Sequence, residues 1–150
     1  MKVVLLEPEI APNTGNIARL CAATFTELHL IEPFGFQLDD RQLKRAGMDY
    51  WQQVTWKRWS NWTEFLVGVE PSATLWFVES GGPQHYAEVH FGLEDYLVFG
   101  RESAGLPSKL LEASRDRWIR IPMKNADARS LNLSNCVAIV LYEALRQTGF

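Results

Sequence analysis

The stretch that decides the fold is Ser130-Leu131-Asn132-Leu133-Ser134-Asn135-Cys136-Val137-Ala138-Ile139-Val140-Leu141-Tyr142-Glu143-Ala144-Leu145. A cluster of small polar residues runs straight into an apolar helical pattern. A surface helix ordinarily carries one apolar stripe and one polar face. Here Cys136, Val137, Ile139, Val140 and Leu141 point nearly all round the axis, which predicts a helix buried on more than one side. Its polar start is then expected inside the molecule or at a subunit contact, where unpaired hydroxyls and amides are costly. A ligand is a natural partner for those groups.

Upstream, short apolar runs at residues 2–7 and 28–31 flank a helix-favouring segment, 13–25, that follows Pro12. Asn13 or Thr14 is the expected N-cap. That pattern is a βαβ unit. Residues 75–78, 96–99 and 118–121 are further strand candidates, each ending at a turn signal. Asn61-Trp62-Thr63-Glu64 has the form of a capping box at a helix start, residues 107–113 form a short helix candidate, and the last helix is expected over 131–147 with Gly149 as its stop. Strands alternating with helices predict an α/β fold, a mostly parallel sheet flanked by helices. Ligands of such sheets bind beyond the carboxyl ends of the strands. Those ends are Glu7-Pro8-Glu9, Glu79-Ser80-Gly81-Gly82, Gly100-Arg101-Glu102 and Ile121-Pro122, with Gly or Pro in every one.

The chain has 150 residues, the size of one domain, and 47% of them are hydrophobic, an ordinary globular composition. One domain over 1–150 is expected. No apolar run reaches the roughly 20 residues of a membrane span, and the first residues lack the length and cleavage site of a signal peptide. Cys21 and Cys136 both fall in apolar helical patterns and read as reduced core cysteines of a cytoplasmic protein. His29, His85 and His90 with two distant cysteines match no metal spacing. His85 and His90 read as loop or edge-strand residues. The net charge of −3 argues against a non-specific nucleic-acid coat. Local basic clusters remain at Arg41, Lys44 and Arg45, at Lys57 and Arg58, and at Arg115, Arg117 and Arg120, each of which reads equally as solvated surface.

Two segments carry candidate chemistry. The 100–107 loop is neither a dinucleotide fingerprint nor a phosphate loop; it is a strand-to-helix turn in which Glu102 either marks the helix start or orients the loop. In Asn13-Thr14-Gly15-Asn16-Ile17-Ala18-Arg19, Arg19 is expected to share a helical face with Gly15 and Asn16. A helix N-terminus plus a forked guanidinium suits a phosphate. No Ser-His-Asp or Cys-His arrangement stands out.

Taken together, Asn13-Thr14-Gly15-Asn16-x-x-Arg19, Phe99-Gly100-x-Glu102-x-x-Gly105-Leu106-Pro107, and Ile121-Pro122 with Ser130-Leu131-Asn132-Leu133-Ser134-Asn135 resemble, in order, the three motifs of SPOUT-class RNA 2′-O-ribose methyltransferases. Leu6-Glu7-Pro8-Glu9-Ile10, Ile31-Glu32-Pro33 and Arg45-Ala46-Gly47-Met48-Asp49-Tyr50 resemble one subgroup, the small stand-alone tRNA methyltransferases of the wobble cytidine or uridine. The resemblance implies a C-terminal trefoil knot, which general topology rules would not suggest. It implies S-adenosyl-L-methionine as co-substrate, held by Val78, Gly100, Ile121, Ser130 and Leu131, with no metal. It implies a homodimer packed through the first and last helices, and a tRNA partner. By the same resemblance Arg19 activates the 2′-hydroxyl, while Asn16 and Ser130 hold the ribose. Asn132 fixes the loop, Glu102 holds Arg19 in place, and Arg129 contacts RNA beside Arg41, Lys44, Arg45 and Lys124.

The loop Met123-Lys124-Asn125-Ala126-Asp127-Ala128-Arg129 and Arg101, where a proline is common, depart from the family pattern. The absence of a basic tail after Phe150 is a further departure, one that with the acidic balance leaves tRNA affinity undetermined by sequence. The start directly at the first strand favours the minimal tRNA subgroup. Methylation of another RNA such as rRNA, and a catalytically silent protein that binds RNA or the methyl donor, are the alternatives. A charge at Val140 is expected to weaken cofactor binding and dimerisation together.

Overall fold

A computed structural model describes residues 1–39, 41, 50–125 and 127–150. Lys44, Arg45 and the 45–49 part of the subgroup motif lie outside the described residues. Among the described residues seven strands form one sheet: β1 Lys2–Leu6, β2 Glu27–Ile31, β3 Trp56–Trp59, β4 Leu75–Val78, β5 Gln84–His85, β6 Tyr96–Phe99 and β7 Trp118–Arg120. The α-helices among them are α1 Ala11–Thr24, α2 Trp62–Val67, α3 Ser108–Ala113 and α4 Leu133–Thr148. The strand order is β3-β2-β1-β6-β4-β7-β5, and every neighbouring pair is parallel.

Burial on both faces explains why β1 and β6 read as unbroken apolar runs. Side chains alternate along each strand. Val3 and Leu5 therefore join Leu28, Leu30, Leu97 and Phe99 under α1 and α4, while Val4 and Leu6 join Ile31, Phe77 and Val98 on the face of α2 and α3. The chain builds β1, β2 and β3 outward, then crosses to the other side, where β6 inserts between β1 and β4. The order reverses at β1 and β6, the place where such sheets open a crevice.

Several expected boundaries shift for identifiable reasons. Helix α1 starts at Ala11, with Pro12 in its first turn and Ile10 at the N-cap without a side-chain bond; neither Asn13 nor Thr14 caps it. Helix α4 starts at Leu133 because Asn132 is its N-cap, accepting from the Ser134 N–H. Ser130 and Leu131 are thus left in the loop. At α2 the expected box forms: Asn61 accepts from the Glu64 N–H at 2.8 Å and Glu64 accepts from the Ser60 N–H at 2.9 Å. Strands β3 and β5 are not legible in the sequence, because both are short edges with few core positions; His85 lies on β5 and His90 in the irregular loop that follows.

Helix α4 corrects a sharper expectation. It buries Val137, Val140, Leu141, Ala144 and Leu145 in its own protomer, and leaves Ile139 and Tyr142 36% and 47% exposed. Val140 faces the core, so a charge there tests folding rather than a subunit seam. Any seam on this helix runs through Ile139 and Tyr142.

His29 is buried in the second layer, stacked 5.9 Å from Trp59 and edge-on to Phe65 and Tyr96. Its Nδ1 accepts from the Trp59 indole at 3.0 Å, which leaves the proton on Nε2, 3.0 Å from the Glu27 carboxylate that also binds Lys57. Burial outweighs Glu27 and pushes the imidazole down to about 4. Between about 6.5 and 4 the unfolded chain binds a proton that the folded one refuses. Stability from His29 is therefore complete above the upper value and falls as pH drops through this window, by on the order of 3 kcal/mol. His29→Gln is expected to flatten that acid limb in urea titrations at pH 7 and pH 4.5; an unchanged limb would contradict a neutral buried imidazole.

Candidate active site

The carboxyl ends of β1, β6, β4 and β7 open onto a cleft of about 620 Å³, within the roughly 300–1,000 Å³ of small-molecule sites. Val78 stands at the end of β4, Gly100 after β6 and Ile121 after β7, with Ser130 and Leu131 leading into α4, and all five line it. Glu102, Arg129 and Asn132 line it as well. Segments far apart in sequence thus share one cavity.

Hydrogen bonds show how they are held together. The Glu102 carboxylate accepts from the Glu9 N–H at 2.8 Å, the Ile10 N–H at 3.2 Å and the Asn13 amide at 3.2 Å. Asn13 in turn accepts from the Asn132 amide at 3.0 Å, and Asn132 accepts from the Ser134 N–H at 2.9 Å and hydroxyl at 2.6 Å. This chain of bonds ties the three motif segments to one another. Its companion runs the other way: Glu9 accepts from the Ser103 N–H and hydroxyl, each at 2.8 Å, which holds the Glu9 carboxyl below its usual range. Arg101 pairs with Glu7 at 3.4 Å. The turn after β1 and the turn after β6 are therefore clasped reciprocally.

Glu102 was expected to hold Arg19. Among the described residues its bonds go instead to the start of α1, which has no cap of its own. Glu102→Gln would set an amide N–H₂ against backbone donors. A loss of about 1 kcal/mol is expected, since partly buried donors lose one of two charged acceptor oxygens, read as a fall of a few degrees in Tm by calorimetry. An unchanged Tm would mean that water replaces the carboxylate.

Two glycines shape the wall. A Cβ on Gly100 would lie 2.2 Å from the Gly105 carbonyl carbon and 2.3 Å from the Leu106 nitrogen. Gly105 has φ +67°, and a Cβ there would lie 2.0 Å from Glu79 Oε2. Glu79 occupies that hollow, accepting from the Leu106 N–H at 2.9 Å through Oε2 and from the Ser80 N–H at 2.8 Å through Oε1. Glu79 and Ser103 thus complete the site beyond the residues singled out by motif, and Asn13 and Glu9, quoted in motifs without a role, join them. The signal for Glu79 was its place at a strand end before Ser80-Gly81-Gly82.

Cys136 also lines the cleft. Burial, aided by Glu79, pushes its thiol up to about 11, so it is protonated at neutral pH and is no nucleophile. Both cysteines are free. Among the described residues no group of three or more His, Cys, Asp or Glu converges as a metal site, and no helix is long and apolar enough to cross a membrane.

Arg19 and Asn16 stand apart from the cleft. Both are exposed on the outer face of α1, whereas Gly15 is buried; the expected common face holds for Asn16 alone. Arg19 lies six residues beyond Asn13, about 9 Å down the helix. Its guanidinium sits 4.9 Å from the Tyr50 ring centroid.

Comparison with known proteins places this geometry. The model of the SpoU rRNA Methylase family matches residues 1–142. A protein of Saccharophagus degradans named tRNA (cytidine(34)-2′-O)-methyltransferase is 50% identical over 151 aligned positions, covering 99% of this chain and 96% of the relative. A solved structure described as "Structural insights into the 2-OH methylation of C/U34 on tRNA" superposes with a TM-score of 0.91 at 42% identity, over 97% of this chain and 94% of the other. The SpoU methyltransferase AviRb of Streptomyces viridochromogenes, solved with the cofactor AdoMet, has the same fold at a TM-score of 0.84 and 23% identity, over 98% of this chain and 57% of its own.

Proposed function

Because this chain belongs to the SpoU rRNA methylase family, we propose that it methylates the ribose 2′-hydroxyl of the wobble nucleotide, cytidine or modified uridine, in tRNA anticodon loops. S-adenosylmethionine is the proposed donor, and supplies when bound a methyl group on a positively charged sulfur. The observation that carries the reading is the hydrogen-bonded union of the three motif segments around one cleft, in a chain similar along its whole length to wobble methyltransferases. The crowding of Gly100 against Gly105 and Leu106 fixes the loop that forms one wall of this cleft.

The residues' tasks follow from their chemistry. Val78, Ile121 and Leu131 offer apolar surface to the donor, and Gly100 and Ser130 offer backbone groups. Ser130 and Asn16 hold the ribose, Asn132 fixes the loop before α4, and Arg129 meets the RNA backbone with Lys124 and Arg41. A guanidinium keeps its proton in proteins, so the role of base does not fall to Arg19. Arg19 instead grips the phosphate beside the target ribose and orients the hydroxyl, whose proton leaves to a phosphate oxygen. Alignment of the reacting atoms and exclusion of water supply the rest.

The outward setting of Arg19 and Asn16 supports a homodimer, in which α1 and α4 meet a second subunit. Ile139 and Tyr142 provide an apolar contact, and the two-fold arrangement is the commonest. Tyr142→Glu is expected to yield monomers that keep the wild-type Tm within a few degrees, by light scattering and calorimetry; an unchanged dimer would place the seam elsewhere. The C-terminal segment is proposed to be knotted, in keeping with the return of Asn132 to Asn13. The protein is proposed to work in the cytoplasm, as one domain.

The test is a map of 2′-O-methylation in all tRNAs and rRNAs with and without the gene. Loss confined to a wobble position is expected. Loss at an rRNA position would redirect the activity, and an unchanged map would leave a silent binder.

A further inference from the structure

A second cavity, of about 410 Å³, lies beyond the carboxyl ends of β2 and β3 and takes no part in the chemistry above. Phe34 and Phe36 wall it with rings 5.8 Å apart and 15° from parallel. The Arg58 guanidinium lies 5.6 Å from the Phe34 ring centroid, held by an ion pair from its Nε to Glu32. Leu38 lines the same space.

This cavity and the first cleft open on the same edge of the sheet, one ridge apart. Gly35 donates its N–H to the Pro8 carbonyl at 2.9 Å. A Cβ on Gly35 would come within 2.6 Å of the Glu9 carbonyl oxygen. Ile10, next in the chain, lines the first cleft. A strand of nucleic acid that runs from the cleft along this edge of the sheet crosses this ridge.

The chemistry of the walls selects the occupant. Aromatic rings stacked on one another, with a guanidinium beside them, leave no gap for a base between them but offer a platform on which an unstacked base can lie, since every base has a π-face. Arg58 and Glu32 neutralise one another, so the cavity suits a flat neutral ring better than a phosphate. Presenting a loop ribose for reaction requires splayed nucleotides, and a splayed neighbour regains on an aromatic surface the stacking it has lost.

Resting on the proposed function, we propose that this cavity is a stacking subsite for a nucleobase adjacent to the methylated nucleotide in the same RNA, with Phe36 and Phe34 as the platform. The test uses the full chain and an anticodon stem-loop transcript carrying 2-aminopurine immediately 5′ or 3′ of the wobble nucleotide. Binding to the wild type is expected to quench one of the two probes, and Phe36→Ala to abolish that quenching. Stacking on an aromatic side chain implies a KM for RNA raised about 5- to 150-fold in Phe36→Ala and Phe36→Leu, with kcat and donor affinity within about twofold and Phe36→Trp close to wild type. Leucine matching phenylalanine in KM and quenching would overturn the subsite, as would a joint loss of Tm and donor affinity in Phe36→Leu. A wild type that methylates no tRNA overturns the proposed function itself; a wild type that methylates, indifferent to Phe36, overturns only the subsite.

Discussion

Arg19→Ala is expected to lower the turnover of tRNA methylation by about 10²–10⁴-fold, the range for losing a group that positions or handles a proton in the transition state. Donor affinity should stay at the wild-type value, because Arg19 lies outside the cleft that the donor is proposed to fill. The measurement is transfer of a labelled methyl group to tRNA in single turnover, beside a donor titration. Arg19→Lys sharpens the test. Lysine keeps the charge but loses the planar fork that meets a phosphate in two places, so it too should fall well below wild type. Near-full turnover in Arg19→Lys would count against a two-pronged grip and leave a simple charge in its place.

Gly100→Ala should have the largest effect on folding and donor binding together. One methyl group would meet backbone at 2.2–2.4 Å on three atoms of Gly105 and Leu106, and backbone cannot swing aside as a side chain can. Overpacking of this kind costs about 1–3 kcal/mol or more, which in a domain of this size lowers Tm by roughly 2–10 °C. Relief requires the loop after β6 to move, and that loop forms a wall of the cleft. Donor affinity should therefore fall by at least about tenfold even below the melting transition. Wild-type affinity and Tm in Gly100→Ala would show that the loop is looser than its contacts indicate. Gly105→Ala is expected to fail for a different reason, since φ +67° disfavours any side chain and the Glu79 carboxylate already fills the space.

Much of the site could be read from residue order. Gly100 and Ile121 each follow a strand end and Ser130 leads into the last helix, and parallel strands bring their carboxyl ends to one edge. The helix starts were harder. Asn13 looked like a cap because asparagine ahead of a helical run usually is one; its side chain is instead claimed by Glu102 and Asn132, residues 89 and 119 positions away. Glu102 looked like a partner for Arg19 because both are polar motif residues. It turns instead to the uncapped N–H groups beside α1. Trp56-Lys57-Arg58-Trp59 read as a basic cluster and proved to be the edge strand β3, where only the tryptophans are partly buried.

By itself, the sequence determined the fold class, most central strands and the identity of the three motif segments. Those features depend on alternation, Gly and Pro punctuation and motif order, which are properties of residues close together in the chain. Only the tertiary structure decided the partner of each polar group, the face on which Arg19 stands, the side of α4 left bare and the neighbourhood of the two cavities. Those depend on the insertion of β6 between β1 and β4, which sets residues some 90 positions apart side by side. A polar side chain pairs with whatever donor or acceptor such a crossing brings to it, because leaving it unpaired in the interior costs more than any local preference returns.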